Sequence, residues 1–228
     1  MSLSEPSELN DHNKSAWDEL YASTPELVWG REPVGFLARC LPERSSLPEG
    51  PVLDAAAGEG RNLPVLLRFG RPVTACDASG SALSKIPAEA RRRVTALVCD
   101  LAAVPLPDRS FSLILLSDAV ETLPDPEPVL AELYRLLAPG GCLLANVPEH
   151  DDGVAAIEME PAPGGGFLYQ GRYYYRFYTR AQAEALFAAQ GFAIAASHDC
   201  RWEEPPHPHF RDRAHHHHSR VILARRPV

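Results

Sequence analysis

The hydrophobic and polar residues of this chain alternate between short apolar runs and longer amphipathic segments. Short apolar runs bounded by turn residues are typical of strands that are covered on both faces. Five such runs cover residues 52–54, 72–76, 94–99, 110–116 and 142–147. The segments between them favour helices, most clearly the apolar stripe at helical spacing formed by Val129, Leu130, Leu133, Leu136 and Leu137. This alternation predicts an α/β fold with a largely parallel sheet.

The second half of the chain departs from the alternation. Residues 148–178 combine an acidic patch, a Pro/Gly-rich segment and a tyrosine-rich run. Residues 179–182 form a capping box that predicts the start of a helix. Two last strands are predicted over 192–197 and 219–224, separated by a long loop over 198–218. The whole pattern predicts a seven-stranded, mostly parallel sheet with an antiparallel last strand and helices on both faces.

Composition and charge narrow the function classes. A length of 228 residues with 45% hydrophobic residues suits a single domain with a full core. A net charge of −8 argues against a large surface for nucleic acid or anionic membranes. No apolar run has the length of a membrane span, and the polar first residues do not resemble a signal peptide. We therefore expect a cytoplasmic protein.

Histidines are concentrated near the end of the chain, at His207, His209 and 215–218. Neither cysteines nor carboxylates stand beside them at the spacing of a metal site. We therefore expect a solvent-exposed loop here and no bound metal.

A strand, a glycine turn and a helix follow one another between Val52 and Phe69. Backbone N–H groups at such a junction bind anionic groups, and Gly58 and Gly60 let the backbone approach a ligand. A dinucleotide-binding turn needs a further glycine where Leu63 stands, and Asp54 would repel a diphosphate. The turn therefore favours a nucleoside ligand without phosphates.

Several of the predicted strands run into an acidic residue. The clearest cases are Asp77, Asp100 and Asp118. In parallel sheets the carboxyl edge is where ligands bind. Asp77 follows Gly58 by nineteen residues, close to the interval at which an acid bonds ribose hydroxyls in nucleotide-binding α/β folds. These acids are expected to share one ligand site.

These residues resemble the class I S-adenosylmethionine-dependent methyltransferases. The family's first motif, hh-D-h-G-C-G-x-G, matches residues 52–60, with Ala56 in place of the first glycine. Alanine fits there if its φ angle is negative. Asp77 matches the family's ribose-binding acid, and Asp100 with Leu101 matches its adenine-binding pair. Residues 133–144 also resemble the family segment L-x-R-h-L-x-P-G-G-x-h-h, so that the resemblance covers about residues 50–147.

The resemblance implies a Rossmann-like fold and S-adenosylmethionine as cofactor, with S-adenosylhomocysteine as product. It divides a single methyltransferase domain over 1–228 into four parts. These are an N-terminal helical lid (1–45), a cofactor-binding core (46–147), a substrate-side insertion (148–178) and the closing helix and strands (179–228).

The cofactor that the resemblance implies carries groups of different charge, and different residues are expected to bind them. N–H groups near Gly60, Arg61 and Asn62 suit a methionine carboxylate, and Asp54 suits the amino group. Asp77 can accept from both ribose hydroxyls. The full predicted set is Asp54, Ala56, Gly58, Gly60, Arg61, Asn62, Asp77, Ala78, Asp100, Leu101 and Ser117.

A looser resemblance at the front of the chain points to small-molecule methyltransferases of the tellurite-resistance and thiopurine type. It rests on residues 17–21, 29–33 and 58–62. Helices are predicted over 12–22 and 34–41, after ten residues that favour disorder. The aromatic residues here either pack the first helix onto the body or cover the ligand. The predicted substrate and lid residues are Trp17, Tyr21, Trp29, Arg31 and Tyr173.

The expected reaction is an in-line displacement on a small-molecule acceptor, for which the protein supplies proximity, alignment and a dry pocket. A base is needed only if the acceptor must lose a proton, and the candidates are Asp118, Glu121, His150 or a tyrosine among 173–175. A non-catalytic cofactor-binding module is the alternative, and a nicotinamide oxidoreductase is disfavoured by Leu63. The expected partner is the acceptor alone, with no nucleic acid and no membrane, in a monomer or homodimer.

Overall fold

A computed structural model describes residues 6–207 and 209–228 of the chain. The strands are β1 (Val52–Ala55), β2 (Val73–Asp77), β3 (Val94–Val98), β4 (Phe111–Leu116), β5 (Leu137–Pro148), β6 (Glu160–Ala162), β7 (Gly166–Tyr169), β8 (Tyr173–Tyr175), β9 (Ala193–Glu204) and β10 (His215–Arg225). The α-helices are α1 (Pro6–Ser23), α2 (Leu37–Cys40), α3 (Leu63–Leu66), α4 (Gly80–Ser84), α5 (Ala88–Arg91), α6 (Glu127–Leu136) and α7 (Arg180–Ala189).

Seven strands form the main sheet in the order β3-β2-β1-β4-β5-β10-β9. Pairing is parallel from β3 to β5, whereas β10 runs antiparallel to both β5 and β9. The predicted seven-stranded, mostly parallel sheet with an antiparallel last strand is confirmed.

The two faces of the sheet carry separate apolar cores. Every residue of β4 is buried, and its alternate side chains point to opposite faces: Ile114 belongs to one core and Leu113 to the other. The apolar stripe of α6 packs into the first core, and α3 packs into the second through Leu63 and Leu66. Two-sided burial explains why the strands read as continuous apolar runs rather than as alternating ones.

Helix α1 begins earlier than predicted, at Pro6, so the disorder expected for residues 6–10 is wrong; residues 1–5 lie outside the described part of the chain. Leu9 is buried, which accounts for the added first turns. Further along, the Asn13 side chain donates to the carbonyl of Thr122 at 2.7 Å and accepts from the backbone of Tyr174 at 2.9 Å. The N-terminal helix is thereby fixed to the body of the protein.

Residues 148–178 contain a second, three-stranded antiparallel sheet formed by β6, β7 and β8, which the sequence pattern did not predict. Its tyrosines pack against Trp17 and Tyr21 of α1 in a third apolar cluster. This small sheet and α1 form two walls above the carboxyl edge of the main sheet.

The long loop predicted over 198–218 is wrong, because β9 extends to Glu204 and β10 begins at His215. The pairing of β10 with β5 starts only at Ser219, so the segment from His215 to His218 pairs with β9 alone. Because β10 is antiparallel, this two-stranded arm projects past the carboxyl edge of the parallel strands. Among the described residues no helix is both long and apolar enough to cross a membrane.

Candidate active site

A cavity of about 390 Å³ opens at the carboxyl edge of the main sheet, under α1 and beside the β9–β10 arm. Nine of the eleven predicted cofactor residues line it: Ala56, Gly58, Arg61, Asn62, Asp77, Ala78, Asp100, Leu101 and Ser117. Asp54 and Gly60 do not line the cavity, because they lie within the strand–turn junction beneath it. We call the part of the cavity formed by residues 56–59, 61–62, 77–79, 100–102 and 117 the cofactor half.

The glycine turn is held in a conformation that few residues adopt. Gly58 and Gly60 have φ angles of 53° and 79°, and a Cβ atom at Gly60 would lie 2.7 Å from the Leu63 side chain. Ala56 also has a positive φ, of 56°. The expectation that alanine would have a negative φ here is therefore wrong. Ala56 carries the strain of a left-handed residue, about 1–2 kcal/mol.

Asp77 sits at the centre of this half and is oriented by backbone groups. Its carboxylate accepts from the N–H groups of Gly58 and Ser79, each at 2.8 Å. Burial raises the pKa of Asp77, and these N–H groups partly counter that effect. The side chain is thus locked in place while its remaining lone pairs are free to accept hydrogen bonds from a ligand.

Asp54 is 1% exposed, and its Oδ2 atom has no hydrogen-bond partner in the described part of the protein. Burial, together with the charge of Asp77, raises the pKa of Asp54 to about 8. A buried carboxyl that lacks a partner fits a cationic ligand group, such as the ammonium of an amino acid.

The acid predicted to hold the adenine is paired with the first helix. Lys14 of α1 donates to Asp100 at 2.6 Å. Burial disfavours the charged carboxylate, but the Lys14 contact and the N–H of Ala102 outweigh it and lower the pKa of Asp100. Leu101 is buried beside it. Helix α1 therefore closes this end of the cofactor half.

Polar side chains of the glycine turn hold the surrounding segments rather than pointing freely into the cavity. Glu59 is buried, pairs with Lys85 at 3.1 Å and accepts from the backbone of Trp29. Asn62 accepts from the backbone of Val34 at 3.0 Å. Arg61 forms an ion pair with Glu204 at 2.9 Å, which ties the turn to the β9–β10 arm and compensates the arginine's charge.

The predicted substrate and lid residues divide into two groups. Trp17, Tyr21 and Trp29 line the cavity, and the Trp29 indole donates to the Tyr21 hydroxyl at 2.7 Å. Arg31 is exposed outside the cavity, and Tyr173 packs behind Trp17, with ring centroids 4.8 Å apart. Tyrosine enters the cavity instead through Tyr175. The aromatic residues thus both pack α1 onto the body and face the cavity.

Of the three predicted catalytic residues, Asp118 and Glu121 line the cavity. Asp118 has a φ of 51° and is clamped by Asn146, which donates to its carboxylate at 2.7 Å and accepts from its N–H at 2.8 Å. Glu121 is buried with no partner for Oε2, and burial followed by the charge of Asp118 raises its pKa well above the usual range. His150 is exposed and lies outside the cavity.

Four residues that were not predicted from the sequence line the cavity from the β9–β10 arm. They are Glu204, His207, Arg211 and His217. We call the wall that they form with Trp29, Glu121 and Tyr175 the acceptor half. The run of histidines at 215–218 was the available signal. Because side chains alternate along a strand, His215 and His217 point to one face and His218 points to the other. The segment was predicted to be a loop, and a loop has no such alternation.

His217 forms a pair with a buried carboxylate. Its Nδ1 atom lies 3.1 Å from Oδ2 of Asp152, whose side chain is fully buried. Asp152 also accepts from the N–H groups of Val154 and His218, each at 2.8 Å. A carboxylate at Nδ1 fixes the tautomer of the imidazole, so that Nε2 is left as the proton acceptor. This arrangement suits a general base.

The histidine-rich segment also forms one cluster with metal-ligand geometry. Ligand atoms of Glu149, Asp199 and His218 lie within 4.8 Å of one another. Arg220 donates to both of these carboxylates, at 2.6 and 3.4 Å. A cationic side chain therefore already balances the cluster.

Residues 53–145 match the family model described as a methyltransferase domain. Over 157 residues, 66% of its length, the chain is 31% identical to a demethylmenaquinone methyltransferase of Thermus thermophilus and covers 63% of that relative. It is 34% identical over 160 residues, 60% of its length, to a dimethylglycine N-methyltransferase of Parasynechococcus marenigrum, of which it covers 57%. The chain thus spans less than two thirds of these curated relatives.

Solved structures share the fold. The chain superposes with a TM-score of 0.72 on a 1,6-didemethyltoxoflavin-N1-methyltransferase of Burkholderia thailandensis, solved with 1,6-didemethyltoxoflavin and S-adenosylhomocysteine bound. The two are 22% identical, and the match covers 100% of this chain and 93% of the other. At this identity the match establishes the fold, and the arrangement of this chain's own residues bears on its chemistry.

Proposed function

We propose that the chain is a class I S-adenosylmethionine-dependent methyltransferase and that it transfers a methyl group from S-adenosylmethionine to a small-molecule acceptor. The observation that carries this proposal is the continuity of the cavity, in which strand-end acids and the glycine turn share one space with the aromatic and polar acceptor half. A site of about 390 Å³ lies within the size range of small-molecule sites.

Residues of the cofactor half, with Asp54 beneath it, fit the differently charged groups of the cofactor. Asp54 supplies a buried carboxylate for the amino group, and Asp77 supplies lone pairs for the ribose hydroxyls. Asp100 and Leu101 provide an acid and an apolar side chain for the adenine. The methionine carboxylate is assigned to backbone N–H groups of the turn rather than to Arg61, because Glu204 already pairs with that arginine. S-adenosylmethionine would supply a methyl group activated by its sulfonium.

We assign the general base to His217, for acceptors that must lose a proton. His217 lines the same cavity as Ser117 and Asp118, and the Asp152 carboxylate would stabilise the imidazolium that forms. Glu121 is a weaker candidate, because burial, followed by the charge of Asp118, raises its pKa and favours the protonated form, which donates a hydrogen bond rather than accepting a proton.

A non-catalytic cofactor-binding module is the alternative. A module of that kind needs no acceptor half, whereas here Trp29, Tyr175 and the β9–β10 arm form a polar and aromatic wall beside the cofactor half. Four properties stay predictions from the sequence. They are the cytoplasmic location, the lack of a nucleic-acid partner, the monomeric or dimeric state and the resemblance to the tellurite-resistance and thiopurine enzymes.

The proposal is tested by following S-adenosylhomocysteine release from S-adenosylmethionine against a panel of amines, thiols, phenols and carboxylates. We expect at least one acceptor class to release the product in the wild type and not in Asp77→Ala. Binding of S-adenosylmethionine without release for any class would favour the non-catalytic module.

A further inference from the structure

Arg211 is a buried cation in the wall of the acceptor half. Its side chain lines the cavity, while the residue as a whole is 6% exposed. The backbone N–H of Arg211 donates to the carbonyl of His207 at 2.9 Å, and the His207 N–H donates back at 2.6 Å. The loop between β9 and β10 therefore holds this arginine in a fixed position.

Every partner of the guanidinium in the described structure is neutral. Nη1 lies 2.9 Å from Nε2 of His215, and Nη2 donates to the Tyr175 hydroxyl at 3.3 Å. The ring faces of Tyr169 and Phe210 lie beneath it, at 5.4 and 5.0 Å. Its Nε atom is buried without an acceptor, and among the described residues no carboxylate lies within ion-pair distance.

No neighbouring acid forms an ion pair with Arg211 among the described residues. Burial, followed by the charge of Asp118, raises the pKa of Glu121 and so favours its neutral form, and the charge of Arg211 counters part of that rise. The carboxylate of Asp118 is hydrogen-bonded to Asn146, and that of Asp152 is hydrogen-bonded to His217. The acceptor half thus holds one guanidinium without an ion-pair partner among the described residues.

We propose that the methyl acceptor carries a carboxylate, which pairs with the Arg211 guanidinium inside the cavity. This inference rests on the proposed function and specifies its acceptor. An uncompensated buried charge is costly, and an anionic ligand group removes that cost. A guanidinium presents planar, parallel N–H donors that match a carboxylate in two-point contact.

The charges around Arg211 favour a carboxylate over a phosphate. Burial lowers the pKa of His207 to about 3 and that of His215 to about 4, so neither adds positive charge near pH 7. Arg61 is paired with Glu204. A single cation matches the single negative charge of a carboxylate better than the charge of a phosphate.

The aromatic side chains of the cavity bear on the rest of the acceptor. Trp17, Trp29 and Tyr175 add aromatic surface, so we expect the carboxylate to be attached to a planar, unsaturated or aromatic acceptor.

Four probes of one ring size test the proposal: benzoate, benzamide, benzylamine and phenyl phosphate. Each is titrated by ligand-observed NMR into the wild type, with and without S-adenosylhomocysteine. We expect benzoate to bind at least about tenfold more tightly than the other three. Equal binding of benzoate and benzamide, tighter binding of phenyl phosphate, or no binding of benzoate would each overturn the proposal without any variant.

Two variants assign the preference to one residue. Arg211→Met removes the charge and is expected to abolish the preference for benzoate, whereas Arg211→Lys keeps part of it. The control is Arg176→Met, because Arg176 also lies over a tyrosine ring, 5.1 Å from that of Tyr178, but outside the cavity. Retained preference in a folded Arg211→Met protein would overturn the assignment. Failure of the wild type to bind S-adenosylhomocysteine would instead contradict the proposed function.

Discussion

The cofactor half and the acceptor half meet in one cavity but are built in different ways. In the cofactor half, the contacts that fix Asp77 are local: Gly58 and Asp77 are 19 residues apart, and Asp77 accepts from Ser79 two residues on. In the acceptor half, Arg211 contacts Tyr175 across 36 residues and His217 contacts Asp152 across 65. The first half is centred on a strand–turn–helix unit, whereas the second depends on contacts between segments that are distant in sequence.

This difference separates the tasks of the two halves. A local unit fixes backbone N–H groups and strand-end acids, which suits a ligand whose chemistry is constant. The acceptor half is assembled from α1, the small sheet and the β9–β10 arm, where loops and insertions set the polar groups. Substitutions in one half should therefore leave the binding functions of the other largely intact.

The largest effect is expected in the acceptor half, from His217→Gln. If His217 is the base, turnover of an acceptor that must lose a proton should fall by about 100-fold or more, whereas affinity for S-adenosylhomocysteine should not change. The loss should be largest near neutral pH and smaller at high pH, where the acceptor ionises without help. Single-turnover rates and calorimetry measure the two quantities.

The matched control for that variant is His216→Gln, since His216 is the neighbouring residue on the exposed face of the same strand. It should retain full turnover. Full activity of His217→Gln with such an acceptor would remove the base assignment and reduce the acceptor half to a binding surface.

The next effect belongs to the cofactor half. Asp77→Ala should weaken binding of S-adenosylmethionine by at least tenfold, about 1.4 kcal/mol, because ribose hydroxyls lose a charged partner. Asp108→Ala, at an exposed acid away from the cavity, should bind normally. Unchanged affinity in a folded Asp77→Ala protein would contradict the ribose assignment.

The same contrast explains what could be predicted from the sequence. The mostly parallel sheet and the resemblance to class I methyltransferases followed from local features, namely the runs ending at Asp77 and Asp100 and the turn at Gly58. The fold is confirmed, and residues 53–145 match a methyltransferase-domain model. The β9–β10 arm could not be predicted. Its strands are rich in polar residues such as His218, which is buried through contacts with Asp151 and Asp199 rather than through apolar packing. Such long-range contacts leave no periodic signal in one sequence.

A third test uses Asp54, the buried acid beneath the cofactor half. With a pKa of about 8, Asp54 is mostly protonated at pH 7 in the free protein. A bound ammonium group should favour its ionised form, so binding of S-adenosylhomocysteine should release up to about one proton at pH 7. The binding enthalpy would then depend on the ionisation enthalpy of the buffer. Asp54→Asn should remove that dependence, and an unaltered dependence would contradict the assignment.

The raised pKa of Asp54 also affects the stability of the free protein. An unfolded aspartate loses its proton near pH 3.9, whereas buried Asp54 keeps its proton to about pH 8. Between these values the folded state binds more protons than the unfolded state, so this group makes the free energy of unfolding fall as the pH rises. Urea unfolding at several pH values should show a shallower decline for Asp54→Asn.

The smallest effect concerns the strain at the turn. Ala56→Gly should raise the free energy of unfolding by up to about 1 kcal/mol, because glycine adopts a φ of 56° without a Cβ clash. The neighbouring substitution Ala57→Gly, at a residue without a positive φ, should lower it by about 0.5–1 kcal/mol. Equal effects at the two positions would contradict the strain at Ala56.

The most direct test of the account is parallel calorimetry of the wild type with S-adenosylmethionine, S-adenosylhomocysteine and NAD. The turn carries Leu63 where a dinucleotide-binding turn needs glycine, and Asp54 lies beneath it. We predict saturable binding of both S-adenosyl compounds and none of NAD. Tight binding of NAD without binding of S-adenosylmethionine would contradict the cofactor assignment and the function proposed from it.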